Sequence, residues 1–312
     1  MNRNTLLCFG EILWDCLPSG LFLGGAPVNV AYHLARLGQP ARVITAVGRD
    51  PLGDEIKRRL QGWGIPLEGV STSPRRPTGT VRVRLDAAGK PDFEIVTRVA
   101  WDDVRPSRQA IAASRQAAAI IYGSLALRSD ANRRHLQRLL RSSQGAMRVF
   151  DVNLRPPHDD LALVRRLAAE ADLIKLNDEE LRRLTPGRRP GALEPRARQL
   201  AAATGCRRIC VTAGAAGAGV LWDGAWVWQP AQPVRVVDTI GAGDAFLAAF
   251  LDALMRRLPV SEGLRRACRL AEFVSSQPGA QPPHPSPVPP QGLGPRAGSA
   301  VRPGSKRSRR RG

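Results

Sequence analysis

The stretch Asp238-Thr239-Ile240-Gly241-Ala242-Gly243-Asp244-Ala245-Phe246 decides how the chain is read. A strand-like run, Val234 to Val237, precedes it, and an apolar helical run, Phe246 to Leu258, follows. Strand, glycine turn and helix together let backbone N–H groups converge on an anion, and the helix N-terminus adds partial positive charge there. The two glycines allow a ligand to approach the backbone closely. Asp244 stands at the expected helix start with two open readings. It is a base reaching into the anion pocket, or it is an N-cap after a tight turn.

Outward from this stretch, strand and helix signals alternate. Leu6 to Gly10, Ala41 to Val47, Ala118 to Tyr122, Met147 to Asp151, Leu173 to Leu176 and Arg208 to Thr212 read as buried strands. Helical runs follow them: from Gly24-Gly25 to Gly38, then Asp54–Trp63, Asp130–Arg141, Leu161–Glu170 and Glu194–Thr204, with Ser261–Ser275 last. The hairpin across Asp223-Gly224 pairs residues 219–222 with 225–228. Such repeated units predict an α/β fold with a mainly parallel sheet covered on both faces. Thr80 to Leu85 alternates apolar and charged residues, Ala87 to Lys90 turns, and Phe93 to Val96 returns. This hairpin predicts a small second sheet (about 79–97) that also recruits residues 12–23.

Length and composition set the limits. The 312 residues carry 43% apolar side chains, enough for one large α/β domain or two smaller ones. The formal net charge is +20, and only Lys57, Lys90, Lys175 and Lys306 of the 47 basic residues are lysine. The arginines are spread along helices without interleaved aromatics, which argues for a compositional bias over a nucleic-acid stripe. The five cysteines form no CxxC pair and have no histidine partner motif, so reduced thiols are expected. Glu11 and Asp15 break the first apolar run, so no signal peptide is predicted, nor any membrane span, and the expected location is cytoplasmic. A domain is expected over 1–284. Beyond it, residues 285–312 hold seven basic residues and no acid, and read as a disordered Pro/Arg-rich tail.

Polar residues gather at or just after strand ends: Asp15, Asn29, Asp151, Asn153, Asn177, Glu180 and Thr212. Ligands bind at such ends in open α/β sheets. Glycine turns at 24–25, 214–217 and 241–243 lie beside them. Together these segments resemble the ribokinase-like carbohydrate kinases, the phosphofructokinase-B type family, in its fructokinase-like branch. Gly24-Gly25-Ala26-Pro27-Val28-Asn29 with Leu34-Ala35-Arg36-Leu37-Gly38 resembles the amino-terminal signature, and Asp238 to Phe246 the carboxy-terminal one. Ala100-Trp101-Asp102, Phe150 to Arg155, Lys175 to Glu180 and Val211 to Gly217 resemble segments between. The resemblance covers about residues 5–284. Ile240 and Pro278 depart from the pattern.

The resemblance implies a three-layer α/β/α fold with a β-sheet lid and an ATP-dependent sugar kinase. It implies Asp244 as base and Gly241, Ala242 and Gly243 as the anion hole. Asp15, Gly24, Gly25 and Asn29 would hold the sugar, with Asn153 and Arg155 nearer the phosphate acceptor. Lys175, Asn177, Thr212, Gly214 and Gly217 would line ATP, and Glu180 with Asn177 would organise Mg²⁺ through water. A monovalent cation (K⁺) is a further expected cofactor. Fructose is the expected acceptor; 2-keto-3-deoxygluconate, ribose or a nucleoside are the alternatives. A homodimer through the lid is expected. The rival of another class is a non-catalytic sugar-binding regulator whose basic tail binds nucleic acid.

Overall fold

A computed structural model describes residues 4–17, 20–85, 91–187 and 193–284. Strand β1 (Thr5–Phe9) is apolar on both faces, as a strand between two helical layers must be. β2 (Leu13–Leu17) and β3 (Gly20–Gly24) leave the main sheet, and α1 (Ala26–Arg36) returns to it. β4 (Ala41–Gly48), α2 (Pro51–Gly62) and β5 (Val70–Ser73) follow, and then β6 (Gly79–Leu85) and β7 (Pro91–Ile95). After α3 (Arg108–Ser114) come β8 (Ala117–Gly123), α4 (Asp130–Ser142), β9 (Met147–Asp151) and α5 (Leu161–Ala169). β10 (Leu173–Asn177), α6 (Asp178–Leu184), α7 (Leu193–Thr204) and β11 (Arg208–Thr212) continue the alternation. The hairpin of β12 (Ala218–Trp222) and β13 (Ala225–Gln229) precedes α8 (Ala242–Met255) and α9 (Val260–Ser275).

The main sheet has the order β13-β12-β11-β10-β9-β8-β1-β4-β5. It is parallel throughout except for β12, which runs against both neighbours. Leu6 and Cys8 face one apolar cluster, with Val28 and Leu34 of α1, Phe246 and Phe250 of α8 and Leu264 of α9. Leu7 and Phe9 face the other, with Leu136 of α4, Val164 of α5 and Leu200 of α7. The side-chain alternation of one strand thus separates the two helical layers, and the expected three-layer ribokinase-like α/β fold is what forms.

The small sheet has the order β3-β2-β6-β7. β2 pairs in parallel with β6, from Leu13 opposite Gly79 to Cys16 opposite Arg82. Residues 12–23 therefore do join the hairpin. The expected turn at 87–90 and the tail from 285 lie outside the described residues. Among the described residues, no helix is long and apolar enough to cross a membrane.

One expected strand is absent. Val234 to Val237 is irregular, with Val236 60% exposed, and Val237 N–H bonds the Ser275 carbonyl at the end of α9. Pro230 and Pro233 have no N–H to donate to a ladder, so the segment passes beside α9 instead of extending the sheet. The strand β5 and the helix α3 were not anticipated: β5 is Val-Ser-Thr-Ser, without an apolar alternation to reveal it.

A buried clamp ties down both ends of the β6–β7 hairpin. Arg128 grips Asp102 through Nε and Nη2 at 2.8 and 3.0 Å and donates to the Val96 carbonyl at 2.9 Å. Its guanidinium lies 4.1 Å over the Trp101 ring. A Cβ at Gly79 would fall 2.1 Å from the Trp101 indole nitrogen, so only glycine fits where β6 begins. Asp50 caps α2 through Gly53 N–H and accepts both the Thr78 hydroxyl (2.6 Å) and the Thr78 N–H (2.8 Å). Removing one member of a buried pair strands the other charge. Arg128→Met is expected to lower stability by roughly 3 kcal/mol in urea denaturation, and Asp102→Asn in the same chain to recover part of it.

Candidate active site

The opening turn of α8 is built by three constraints. Gly241, not Asp244, is its N-cap, in the left-handed region at φ 79°. A Cβ there would lie 2.6 Å from the Ala280 methyl, which excludes a side chain. Asp238 closes the turn: one carboxylate oxygen accepts Ile240 N–H (2.9 Å) and the other Gly279 N–H (3.1 Å). The cap reading of Asp244 is corrected accordingly, because the turn needs a positive φ that glycine supplies. Asp244 sits at the third helical position. The Ala242 amide turns onto the Thr239 carbonyl at 3.3 Å, whereas Gly243 and Asp244 lie where no intrahelical acceptor exists.

Asp244 is buried, and its Oδ2 accepts from Asn29 Nδ2 at 2.7 Å. Asn29 comes from α1 and is itself held by Gln281 at 2.5 Å, so packing of α1 on α8 aims the carboxylate. Burial pushes the Asp244 carboxyl up to about 6, and the Asp151 charge adds to this; Lys175, Asn29 and Arg155 oppose it.

Beneath that turn lies a buried ion pair. Lys175 Nζ from β10 meets both Asp151 oxygens, at the end of β9, at 3.0 and 3.2 Å. A Cβ on Gly243 would fall 2.8 Å from this ammonium, so the charge sits directly against the first turn of α8. Burial acts to discharge Lys175, but Asp151, Asp244 and Glu180 together hold its pKa above the ordinary lysine value. It stays cationic at neutral pH.

Asn177 and Glu180 form a capping box on α6: Asn177 Oδ1 accepts Glu180 N–H and Glu180 Oε2 accepts Asn177 N–H, both at 2.8 Å. Glu180 Oε1 accepts Leu154 N–H at 2.7 Å. The carboxylate thus braces the loop carrying Asn153, which has φ 39°, and Arg155. Each oxygen keeps a second acceptor site, which suits a water-mediated ion better than direct ligation. Among the described residues, no group of three or more His, Cys, Asp or Glu side chains is spaced to hold a metal by itself.

Asp15 lies against Gly24, where a Cβ would fall 2.6 Å from its Oδ2. Burial pushes Asp15 up to about 6, opposed by the Arg155 guanidinium. Across the sheet, Thr212 on β11 is opposite Asn177 on β10. Gly214 and Gly217 have φ 52° and 121°, and a Cβ at Gly217 would meet the Gln229 carbonyl at 2.2 Å. The fold therefore brings Asn29 to Asp244, Lys175 to Gly243, Asp15 to Gly24 and Asn177 beside Thr212.

Sequence reasoning passed over Glu11. It is 1% exposed, and its Oε2 has no hydrogen-bond partner. Burial pushes the carboxyl up to about 7; the Asp244 charge adds to this, while its own amide, the Ala26 amide and Arg155 oppose it. The available signal was an acid just past the first strand, four residues before Asp15. The native chain keeps the Glu11 proton up to about pH 7, whereas the unfolded chain releases it near the ordinary 4.5. Stability is therefore lost as pH rises through that window, by an amount on the order of 3 kcal/mol. Glu11→Gln is expected to be the more stable protein at pH 8, with the gap closing towards pH 4. A gap independent of pH in urea denaturation would contradict this.

The profile of the pfkB family carbohydrate kinases matches residues 19–287. A fructokinase of Klebsiella pneumoniae is 32% identical over 265 residues, spanning 81% of this chain and 85% of its own length. A fructokinase of Vibrio alginolyticus is 28% identical over 295 residues, spanning 89% and 94%. Among solved structures, the fructokinase of Vibrio cholerae O395 in its fructose-, ADP- and calcium-bound form superimposes with a TM-score of 0.76. That match covers 90% of this chain and 96% of the other at 24% identity, a likeness of fold. With the family profile spanning residues 19–287, the protein belongs to the pfkB family of carbohydrate kinases and is a sugar kinase.

Proposed function

We propose that the chain transfers the γ-phosphoryl group of ATP to a primary hydroxyl of a sugar, with fructose as acceptor. The observation that carries this reading is the buried Asp244 carboxylate in the first turn of α8, held by Asn29 and set beside the Lys175 ammonium. Ionised above about pH 6, Asp244 takes the proton of the sugar hydroxyl as its oxygen attacks the γ-phosphorus and ADP leaves. The Gly243 amide and the positive end of α8 face the charge that develops on the phosphoryl oxygens; Gly241 completes the anion hole, and the Ala242 amide joins it on leaving the Thr239 carbonyl. Lys175 adds a fixed cation beneath them.

Asp15, Gly24, Gly25 and Asn29 hold sugar hydroxyls, and Asn153 and Arg155 stand nearer the transferred group. Thr212, Gly214 and Gly217 line the nucleotide beside Lys175 and Asn177. Mg²⁺, when bound, neutralises phosphate charge; Asn177 and Glu180 are the residues that would order its waters. The small sheet acts as a lid that excludes water, a competing acceptor. Fructose is favoured because relatives at 28% and 32% identity are fructokinases. Pairing of two copies through the small sheets is supported by Leu21 and Phe22 of edge strand β3, which are 50% and 40% exposed.

ADP release is to be followed over fructose, 2-keto-3-deoxygluconate, ribose and nucleosides, with fructose expected to have the highest kcat/KM. Asp244→Asn is expected to lower kcat about 10³-fold with a sugar KM within a few-fold of the parent. An unchanged kcat would remove Asp244 as base. In the parent, kcat/KM should fall about tenfold per pH unit below about 6, as the base is protonated. Leu21→Glu with Phe22→Glu should convert a sedimenting dimer to monomer.

A further inference from the structure

Several helices of this arginine-rich chain neutralise their own cations. Arg58 and Arg59 meet Glu55 on α2, Arg182 meets Asp178 on α6, Arg198 meets Glu194 on α7, and Arg265 and Arg266 meet Glu262 on α9. α4 does so once, between Arg133 and Asp130. Among the described residues, Arg134 and Arg138 on α4 form no ion pair with a carboxylate, and neither does Arg76, whose charge reaches Asp103 only from beyond salt-bridge distance. Arg134 and Arg138 share one face, a like-charge spacing that costs a few tenths of a kcal/mol in a helix.

These three guanidinium groups converge on one groove of about 520 Å³, lined also by Asp103, Arg105 and His135. Asp103 is the single carboxylate of the lining, and Arg105 already occupies it at 2.8 Å. His135 is fixed by the Val104 carbonyl. A concave surface with one sign of charge focuses its field and concentrates counter-ions. The guanidinium fork fits two phosphate oxygens at once, a match that an ammonium does not make. The groove shares no residue with the active site.

We propose that this groove binds a small anion carrying two or three linked phosphoryl groups. The volume lies within the ~300–1,000 Å³ of ligand sites. Its unpaired forks come from two separate elements, the segment before β6 and helix α4, so a single phosphoryl group would leave part of the charge unanswered. Among the described residues, no Phe, Tyr or Trp lines the groove, and its one aromatic ring, His135, is fixed by the Val104 carbonyl, which disfavours a single-stranded nucleic acid. Free oligophosphate and the phosphate chain of a nucleotide share the recognised chemistry. Arg76 stands three residues before β6 and Asp103 follows Asp102 of the buried clamp, so the groove lies beside segments that anchor the lid hairpin.

Calorimetric titration of the full chain with inorganic tripolyphosphate tests this. Comparison of the parent with Arg134→Ser/Arg138→Ser should show the loss of one bound equivalent, or at least a tenfold loss of its affinity. That equivalent should weaken with added salt, and the KM for ATP should stay within twofold. Arg141→Ser, on the same helix but outside the lining, should leave it in place. Arg76→Ser repeats the comparison from a different element should the double variant fold poorly. ATP in place of tripolyphosphate, read as the same difference between proteins, distinguishes a nucleotide from free oligophosphate. Equal binding by parent and double variant, no binding, or a difference seen only with an oligonucleotide would overturn the proposal.

Discussion

The buried Lys175–Asp151 pair is the contact around which the candidate active site is assembled. It joins the ends of two adjacent strands, and its ammonium lies against Gly243 in the first turn of α8. A lysine in such a place would lose its proton if burial acted alone; three carboxylates prevent this. The same ammonium limits how far burial raises Asp244 and Glu180. Charge is therefore balanced across the site as a group, and no single member can be replaced without shifting the others.

Around this pair the backbone is fastened by short polar contacts. Asp238 joins the 238–241 turn to Gly279, Glu180 joins α6 to the 154 loop, and Asn29 joins α1 to α8. Each contact orients a carboxylate or an amide that the proposed phosphoryl transfer would use. The small sheet is held differently, by the Asp102–Arg128–Trp101 clamp and the Asp50–Thr78 contacts at its base.

Much of this was legible in the chain. The apolar runs of the parallel strands exposed the main sheet, because strands buried on both faces admit little else. The glycine turn before α8 marked the site, since Gly241 needs a positive φ and Gly243 has no room for a Cβ. The Val234–Val237 segment was misread because β propensity says nothing about whether a neighbouring strand is available. Glu11 was passed over because an isolated acid after a strand looks like a solvated break; only its burial shows otherwise. The unpaired arginines of α4 also look ordinary in sequence, where Asp130 precedes Arg134 by one helical turn but pairs with Arg133.

Hydrophobic periodicity and the glycine turns determined the layers, the strand–helix alternation and the neighbourhood of the site, since these depend on residues close together in the chain. Tertiary structure alone decided which distant groups meet: Asn29 on Asp244, Lys175 under Gly243, Glu11 buried with one oxygen unpartnered, and Arg76 with Arg134 and Arg138 around one groove. Those outcomes depend on burial and on charges brought together across the fold, and neither is encoded in local spacing.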